Sequence, residues 1–515
     1  MMSNKFDEEN IFNHIMIMED KYKNEIVENG NEAWPITRIS IYKSLSTLSQ
    51  QKKYESIVKN KKLTLRSNIS LLGNLKDFIT KFLSSKLNLI RNQKKVKNIF
   101  FSRSNYLDKL NSKIFFDRAV DPLYITSLVN TESLKLYLDR YWIPNKLFLK
   151  GIFFFSKEKI FFNFLNKKLN NEKKDLKRNS IVLLNSFIKL HKLEYLENFL
   201  KIDLERDINI YSICKYNAKN FLKKFPTLKK VFVVCWYATD MMAIIAAANE
   251  LKIETIDVQH GKQGKYQPAY SGWKCTENNE FINLPQYFWC WGERGIKNIL
   301  KGSEKRSSHI PILGGYAWPK IYKEYINRRD LNNSNAKINL LFTIQPLKGD
   351  MNNEPFKDGL LKILKYYDDK YKKGSRNEFN LRVRLHPNYI DRGLFYLKKR
   401  LGDLFFSNLF SYSSKNDSCL FDDLSWANHH ITFFSTSAID SISFNIKSAV
   451  YGKISYELYS EEIENLSLSH LKDCSYKELK DWLKKKPNIK EGETSYIVNK
   501  LPDPILLTEP LNKIK

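Results

Sequence analysis

Residues 230–261 read KVFVVCWYATDMMAIIAAANELKIETIDVQHG, and this stretch decides the fold. Its first run, Val231 to Trp236, is apolar and rich in β-branched and aromatic side chains, as a buried strand requires. A turn follows at Tyr237-Ala238-Thr239-Asp240, Met241 to Leu251 reads as a helix, and Glu254 to Val258 forms a second strand ending at Gln259-His260-Gly261. Strand, helix and strand within about thirty residues make a βαβ crossover, which places its two strands parallel in one sheet.

Working outward, the alternation continues on both sides. Strand-like runs stand at Lys97 to Phe101 and Ile181 to Leu184, with a helical stretch at Lys157 to Lys177 between them. Downstream lie a strand at Tyr287 to Trp291, a helix at Glu293 to Leu300, and a strand from His309 to Leu313 that runs into Gly314-Gly315. The polar stretch Asn327 to Lys337 reads as a linker, after which the pattern restarts: strand Ile338 to Ile344 ending at Gln345-Pro346, helix Phe356 to Lys372, strand Phe379 to Leu385 ending at His386-Pro387, strand Leu404 to Phe406, strand His430 to Phe434, helix Ala438 to Phe444 and strand Ser448 to Tyr451. Strands separated by helices imply parallel sheets. The expected class is therefore α/β, with a helical, basic N-terminal region over 1–95 (broken at Trp34-Pro35), one Rossmann-like domain over 96–326, a linker over 327–337 and a second Rossmann-like domain over 338–515. A chain of 515 residues, 43% of them hydrophobic, has ample material for two cores.

Six scattered cysteines without a Cys-x-x-Cys pair or a Cys/His cluster suggest neither a disulfide framework nor a structural metal, and a reducing cytoplasm is the expected compartment. No opening signal peptide and no apolar run of membrane-spanning length are read. The net charge of +29 comes with Lys-, Asn-, Ile- and Phe-rich usage that an AT-rich coding bias explains. It is nevertheless uneven. Between Lys52 and Lys97 stand thirteen Lys/Arg against Glu55 and Asp77, a net +11, with Leu75, Phe78, Ile79, Phe82, Leu83, Leu87 and Ile90 at roughly helical spacing. That pattern suits an amphipathic helix on an anionic membrane surface, so a peripheral association with the inner face of the membrane is expected, while the absence of an RNA-binding signature argues against nucleic acid.

A doubly wound sheet collects its ligands at the carboxyl ends of its strands, and two histidines stand at such ends: His260 and His386. Arg382, Arg384 and His386 share one strand face by their period of two, and buried guanidinium groups need an anion or a carboxylate partner. Ser435, Thr436 and Ser437 lead from a strand into a helix, where hydroxyl and backbone N–H groups can cradle a phosphate. Asp440, about one turn inside that helix, can accept from a ribose hydroxyl. His260, beside Gly261, suits proton abstraction from a hydroxyl, with Asp240 at the start of the preceding helix as the rival base or a plain helix cap. Asp257 points to the opposite face from His260.

Gln259-His260-Gly261, the aromatic loop through Tyr266, Tyr270 and Trp273, Trp291-Gly292, Gly314-Gly315, Arg384-Leu385-His386-Pro387 and Ser435 to Asp440 together resemble bacterial surface-polysaccharide glycosyltransferases of the capsule and O-antigen type. These are GT-B enzymes, two Rossmann-like domains across a cleft, and several use CMP-linked acidic sugars. The resemblance spans roughly residues 230 to 452. It implies that Arg384, His386, Ser435, Thr436 and Ser437 hold the phosphate and ribose of a nucleotide-sugar donor, with Asp440, Gln345 and Gly315 also on the donor, and that a glycan or lipid-linked glycan is the acceptor. The donor would be a substrate; no cofactor and no metal are expected, since no Asp-x-Asp motif is present. A similar order occurs in the glycerophosphotransferases that use CDP-glycerol, where a His-Gly histidine is thought to act as base, which again implies His260. The chain departs from both patterns: it carries Asp440 where a glutamate is frequent, and Gln-His-Gly in place of Trp-His-Gly-Thr. The donor thus stays open between a sugar nucleotide and a polyol-phosphate nucleotide; a non-catalytic binding factor is a further alternative, and a GT-B sugar-nucleotide epimerase, which needs no acceptor, is a third that the basic amphipathic N-terminal region makes less attractive.

Overall fold

The structure, a computed structural model, describes residues 8–29, 32–55, 94–103, 106–109, 115–130, 132–138, 152–153, 170–261, 263–264, 266–273, 281–301, 309–326, 338–344, 356–372, 379–386, 390–401, 411–414, 417–485 and 502–511. The basic stretch after Glu55, the linker, the expected strand at 404–406 and Gln345 lie outside these residues, apart from the last basic positions at 94–97.

The first sheet has seven strands: β1 (Val96–Ser102), β2 (Glu132–Tyr137), β3 (Ile152–Phe153), β4 (Lys230–Val234), β5 (Glu254–Val258), β6 (Tyr287–Cys290) and β7 (Ile310–Leu313). They lie in the order β3-β2-β1-β4-β5-β6-β7, all parallel. The second sheet has β8 (Ile338–Thr343), β9 (Phe379–Arg384), β10 (Ser411–Ser413), β11 (His429–Thr432), β12 (Lys447–Tyr451) and β13 (Ser469–Leu471), in the order β10-β9-β8-β11-β12-β13, again all parallel. Both therefore reverse direction at the same kind of point, between the first strand and the fourth, where doubly wound folds bind ligands. This is the two-domain GT-B arrangement.

The central strands are apolar throughout because helices cover both faces: all five residues of β4 are buried, as are all four of β6. On one face pack α1 (Glu8–Lys21), α2 (Ala33–Glu55), α3 (Asn170–His191), α4 (Glu197–Leu222) and α5 (Thr239–Glu250), which share one apolar cluster with the sheet. The helical N-terminal region is thus built into the first domain rather than appended to it, and Trp34-Pro35 sits in the first turn of α2, where proline's missing N–H costs nothing. The strand expected at Ile181 to Leu184 is instead the middle of α3. Leu176, Leu183, Leu184, Phe187 and Ile188 recur at helical spacing and are all buried, so the longer period outweighs the local β-branched pair.

The two domains meet through α6 (Glu293–Leu300) and α7 (Trp318–Ile326) of the first half and α8 (Leu420–Trp426), α9 (Ser437–Ser443) and α10 (Ser460–Glu464) of the second. Phe116 of the first domain stacks on Trp318 at 4.0 Å, and Trp318 stacks on Phe421 at 5.3 Å. Arg294 of α6 forms an ion pair with the buried Glu462 of α10 at 2.8 Å. The chain then returns: α11 (Pro504–Thr508) packs on the first domain, where Asn98 and Lys230 donate to the carbonyls of Leu507, Leu506 and Glu509. The signal of this return, two buried leucines in a short tail, is too weak to read from sequence.

Candidate active site

The ends of β5 and β6 in the first domain face the start of α9 in the second. Between them Arg118, Ala119, His260, Trp291, Tyr316, Thr436 and Asp440 line a cavity of about 20 Å³.

His260 follows β5 at a turn whose main chain is bound to the next strand: the Gln259 N–H donates to the Trp289 carbonyl at 3.1 Å. Its ring sits edge-on to Tyr106, with centroids 5.5 Å apart, and beside Tyr237 at 6.2 Å. Burial pushes its pKa down to about 4, against a weaker pull from the Val258 carbonyl, and the positive charge of Arg118 adds to the lowering. The imidazole is therefore neutral at physiological pH and has a lone pair to offer. The aromatic loop that follows is held from below by the N-terminal helices. Arg38 of α2 pairs with Glu19 of α1, donates to the carbonyls of Pro268 at 3.0 Å and Ser271 at 2.7 Å, and lies 4.0 Å over the Trp273 ring. Gly272, at φ +72°, packs against Met16 and Phe12 so closely that a side chain there would strike them.

Asp440 stands in the first turn of α9. It is buried on α9, accepts from the Tyr316 hydroxyl at 3.2 Å, and its pKa is raised to about 7, burial being the main cause and Arg118 the chief opposing one. Tyr316 stacks on Trp291 at 4.2 Å. Arg118 is the cation of the cavity. It sits on a turn pinned by Asp117, whose carboxylate accepts from the N–H groups of Ala119 and Val120 at 3.0 and 3.2 Å, and by its own N–H to the Tyr106 carbonyl at 3.1 Å. Its guanidinium makes one long ion pair, 4.0 Å to Asp108, and keeps 32% of its surface exposed. Burial works against its charge, but Asp108, Tyr316 and Asp440 outweigh burial and raise its pKa.

Of the other expected site residues that are described, Thr436 alone lines this cavity. Arg382 and Arg384 do share one face, but both meet Asp423 of α8: Arg382 at 3.0 Å and Arg384 at 2.5 Å, with Ser413 and Ser418 around the carboxylate. The counter-charge that a buried guanidinium needs is supplied from within the domain. His386 is half-buried at the end of β9. Ser437 turns inward, hydrogen-bonded to Thr343 at 2.7 Å and 3.5 Å from His430, whose buried ring is pushed down to about 3. The Ser435 hydroxyl accepts from the Ser437 N–H at 3.3 Å, which leaves Thr436 as the member of the three that lines the cavity. Asp240 is paired with Arg103 at 2.5 Å and accepts from the Met241 N–H. Gly315, at φ +78°, offers its carbonyl to the Trp289 indole at 3.1 Å. Asp257 is wholly buried and accepts from the Trp236 N–H at 3.0 Å, bracing the turn where Cys235 adopts φ +64°. Sequence reasoning missed Arg118 and Tyr316, which lie on connecting turns outside any motif; the nearest signal was Gly314-Gly315, next to Tyr316.

Among the described residues no group of three or more His, Cys, Asp or Glu could hold a metal ion, and no helix is long and apolar enough to cross a membrane. No family model and no curated protein matches the chain. Among solved structures, the chain is similar to the UDP-GlcNAc 2-epimerase of Neisseria meningitidis bound to UDP-GlcNAc, at 14% identity and a TM-score of 0.44 over 81% of this chain and 100% of that one. It is similar to the UDP-GlcNAc 2-epimerase of Methanocaldococcus jannaschii at 12% identity and a TM-score of 0.45, over 79% of this chain and 97% of that one. To the wall teichoic acid polymerase TagF soaked with CDPG, the likeness is 12% identity and a TM-score of 0.34, over 76% of this chain and 78% of that one.

Proposed function

We propose that the chain is an inverting, metal-independent glycosyltransferase of bacterial surface-polysaccharide synthesis, capsule or O-antigen, that moves a sugar from a nucleotide donor, with a CMP-linked sugar as the first candidate, to a hydroxyl of a glycan or lipid-linked glycan acceptor. The observation that carries this reading is the single cavity lined by His260 and Arg118 from one domain and by Asp440 and Thr436 from the other. Its chemistry is that of group transfer across a cleft. The neutral imidazole of His260 takes the proton of the acceptor hydroxyl as its oxygen attacks the anomeric carbon. The bond to the donor phosphate breaks on the opposite face, and its electron pair leaves with the phosphate. Arg118, poorly paired and fixed on its turn, meets that growing negative charge. Thr436 and Asp440 bind donor hydroxyls, and His386 with Ser435 extends the donor site along the second domain.

The test is a thermal-shift screen with CMP, CDP and UDP, followed by His260→Ala assayed with the preferred donor. Stabilisation by CMP, with turnover lost in the variant while nucleotide binding persists, is expected; the loss should be about 10² to 10⁴-fold. Full turnover in His260→Ala would remove the base. A preference for CDP together with a phosphodiester product would turn the reading to a polyol-phosphate transferase.

A further inference from the structure

Gln259 precedes His260 in the chain and is 2% exposed. Both ends of its amide are committed. The Oε1 atom accepts from the Trp291 backbone N–H at 2.7 Å, and Nε2 donates to the Gly261 carbonyl at 3.0 Å. The partners fix the orientation of the amide, because the reversed amide would face a donor with a donor and an acceptor with an acceptor. One bond closes the turn that carries His260. The other holds Trp291, which stacks at 4.2 Å on Tyr316, whose hydroxyl donates to Asp440 at 3.2 Å. His260, Trp291, Tyr316 and Asp440 all line the one cavity.

We propose that Gln259 is a positioning residue for transfer: its amide sets the His260 turn and the Trp291–Tyr316–Asp440 wall in one geometry, so that the base of the first domain and the donor-binding carboxyl of the second are placed together. This rests on the reading of the cavity as a transfer site. The side chain's two roles cannot be divided among smaller or simpler groups. Glutamate can accept from Trp291 but cannot donate to Gly261; methionine fills the space and does neither; asparagine is one carbon shorter. A misplacement of the order of 1 Å at a reacting group lowers turnover by up to roughly a hundredfold without touching the substrate.

The experiment uses the full chain with Gln259→Met and Gln259→Glu, each checked for a native urea midpoint, and reads the His260 ring titration by NMR of histidine-labelled protein, the resonance being identified by its loss in His260→Ala. Both variants should raise the His260 titration by about one pH unit or more as water enters the loosened turn, Gln259→Glu further because of its added charge. Turnover should fall roughly tenfold or more, chiefly in kcat, with the donor KM little changed. If Gln259→Met does not fold, Gln259→Glu, which keeps the bond to Trp291, gives the same readout. A His260 titration unmoved in the folded variants overturns the inference. A titration that moves while His260→Ala keeps full turnover leaves the positioning role standing and removes the transfer reading instead.

Discussion

The two domains share one strand order and each ends a strand in a histidine, yet they dispose of their charges in opposite ways. In the second domain the two arginines of β9 are consumed internally by Asp423, and the Ser437 hydroxyl is turned into a buried set with Thr343 and His430. In the first domain the closest ion pair of Arg118 among the described residues is a long one, 4.0 Å to Asp108, and His260 has an imidazole made neutral by burial. A charge that the fold has already neutralised holds the fold; a charge left facing the cleft is available to a ligand. The basic strand end of the second domain meets a carboxylate of its own domain, while the cation that lines the cavity stands on a connecting turn.

The sharpest way to break this contrast is Asp423→Ala. Removing one carboxylate leaves Arg384, 6% exposed, and Arg382 beside it without counter-charge, which should cost about 3–5 kcal/mol. Urea unfolding of the variant should show the second domain's transition moved far down. An unchanged midpoint would mean that the arginines are not structurally tied, and the comparison between the domains would fail.

A smaller effect sharpens it from the other side. Arg118→Gln removes a partly exposed guanidinium with one 4.0 Å ion pair, so the fold should hold. Calorimetry with the preferred nucleotide should show affinity lowered roughly tenfold, the scale of one charge-assisted contact. Arg384→Gln should do the reverse, weakening the fold more than the nucleotide. Should Arg384→Gln alone abolish binding with stability intact, the anion site would belong to β9 after all.

Much of this was legible in the sequence. The βαβ unit at 230–261 carries its own punctuation, a β-branched run, a turn, an alanine-rich helix and a second strand, and the structure reproduces it as β4, α5 and β5. The restart after the linker was legible for the same reason. Ile181 to Leu184 misled because four apolar residues fit a strand and a buried helix equally, and only the wider spacing of Leu176, Phe187 and Ile188 separates them. The site was half legible. His260 and Asp440 stand at strand and helix ends and could be found by topology. Asp423, the partner of two arginines, is 39 residues from Arg384 and comes from another element, so no local pattern announces it. Arg118 is the same case in reverse: its role depends on a turn built by Asp117 and on a domain that sequence does not dock.

The smallest effect separates the two cavity groups by the sign of their response to pH. His260 has a folded pKa of about 4, below the ordinary 6.5, so between those values the unfolded chain binds more protons and stability rises with pH. Asp440 has a folded pKa of about 7, above the ordinary 3.8, so over its window the folded chain binds more protons and stability falls as pH rises. From about pH 4 to 6.5 the two slopes oppose each other. Asp440→Asn should therefore become more stable with rising pH than the parent across that range, by about 1–2 kcal/mol, and His260→Gln should show the opposite drift. Urea midpoints measured from pH 4.5 to 6.5 check this, and three parallel curves would show that neither group is held in the state that its burial dictates. Divergence in opposite senses would show that one cavity keeps an imidazole unprotonated on the first domain and a carboxyl protonated on the second.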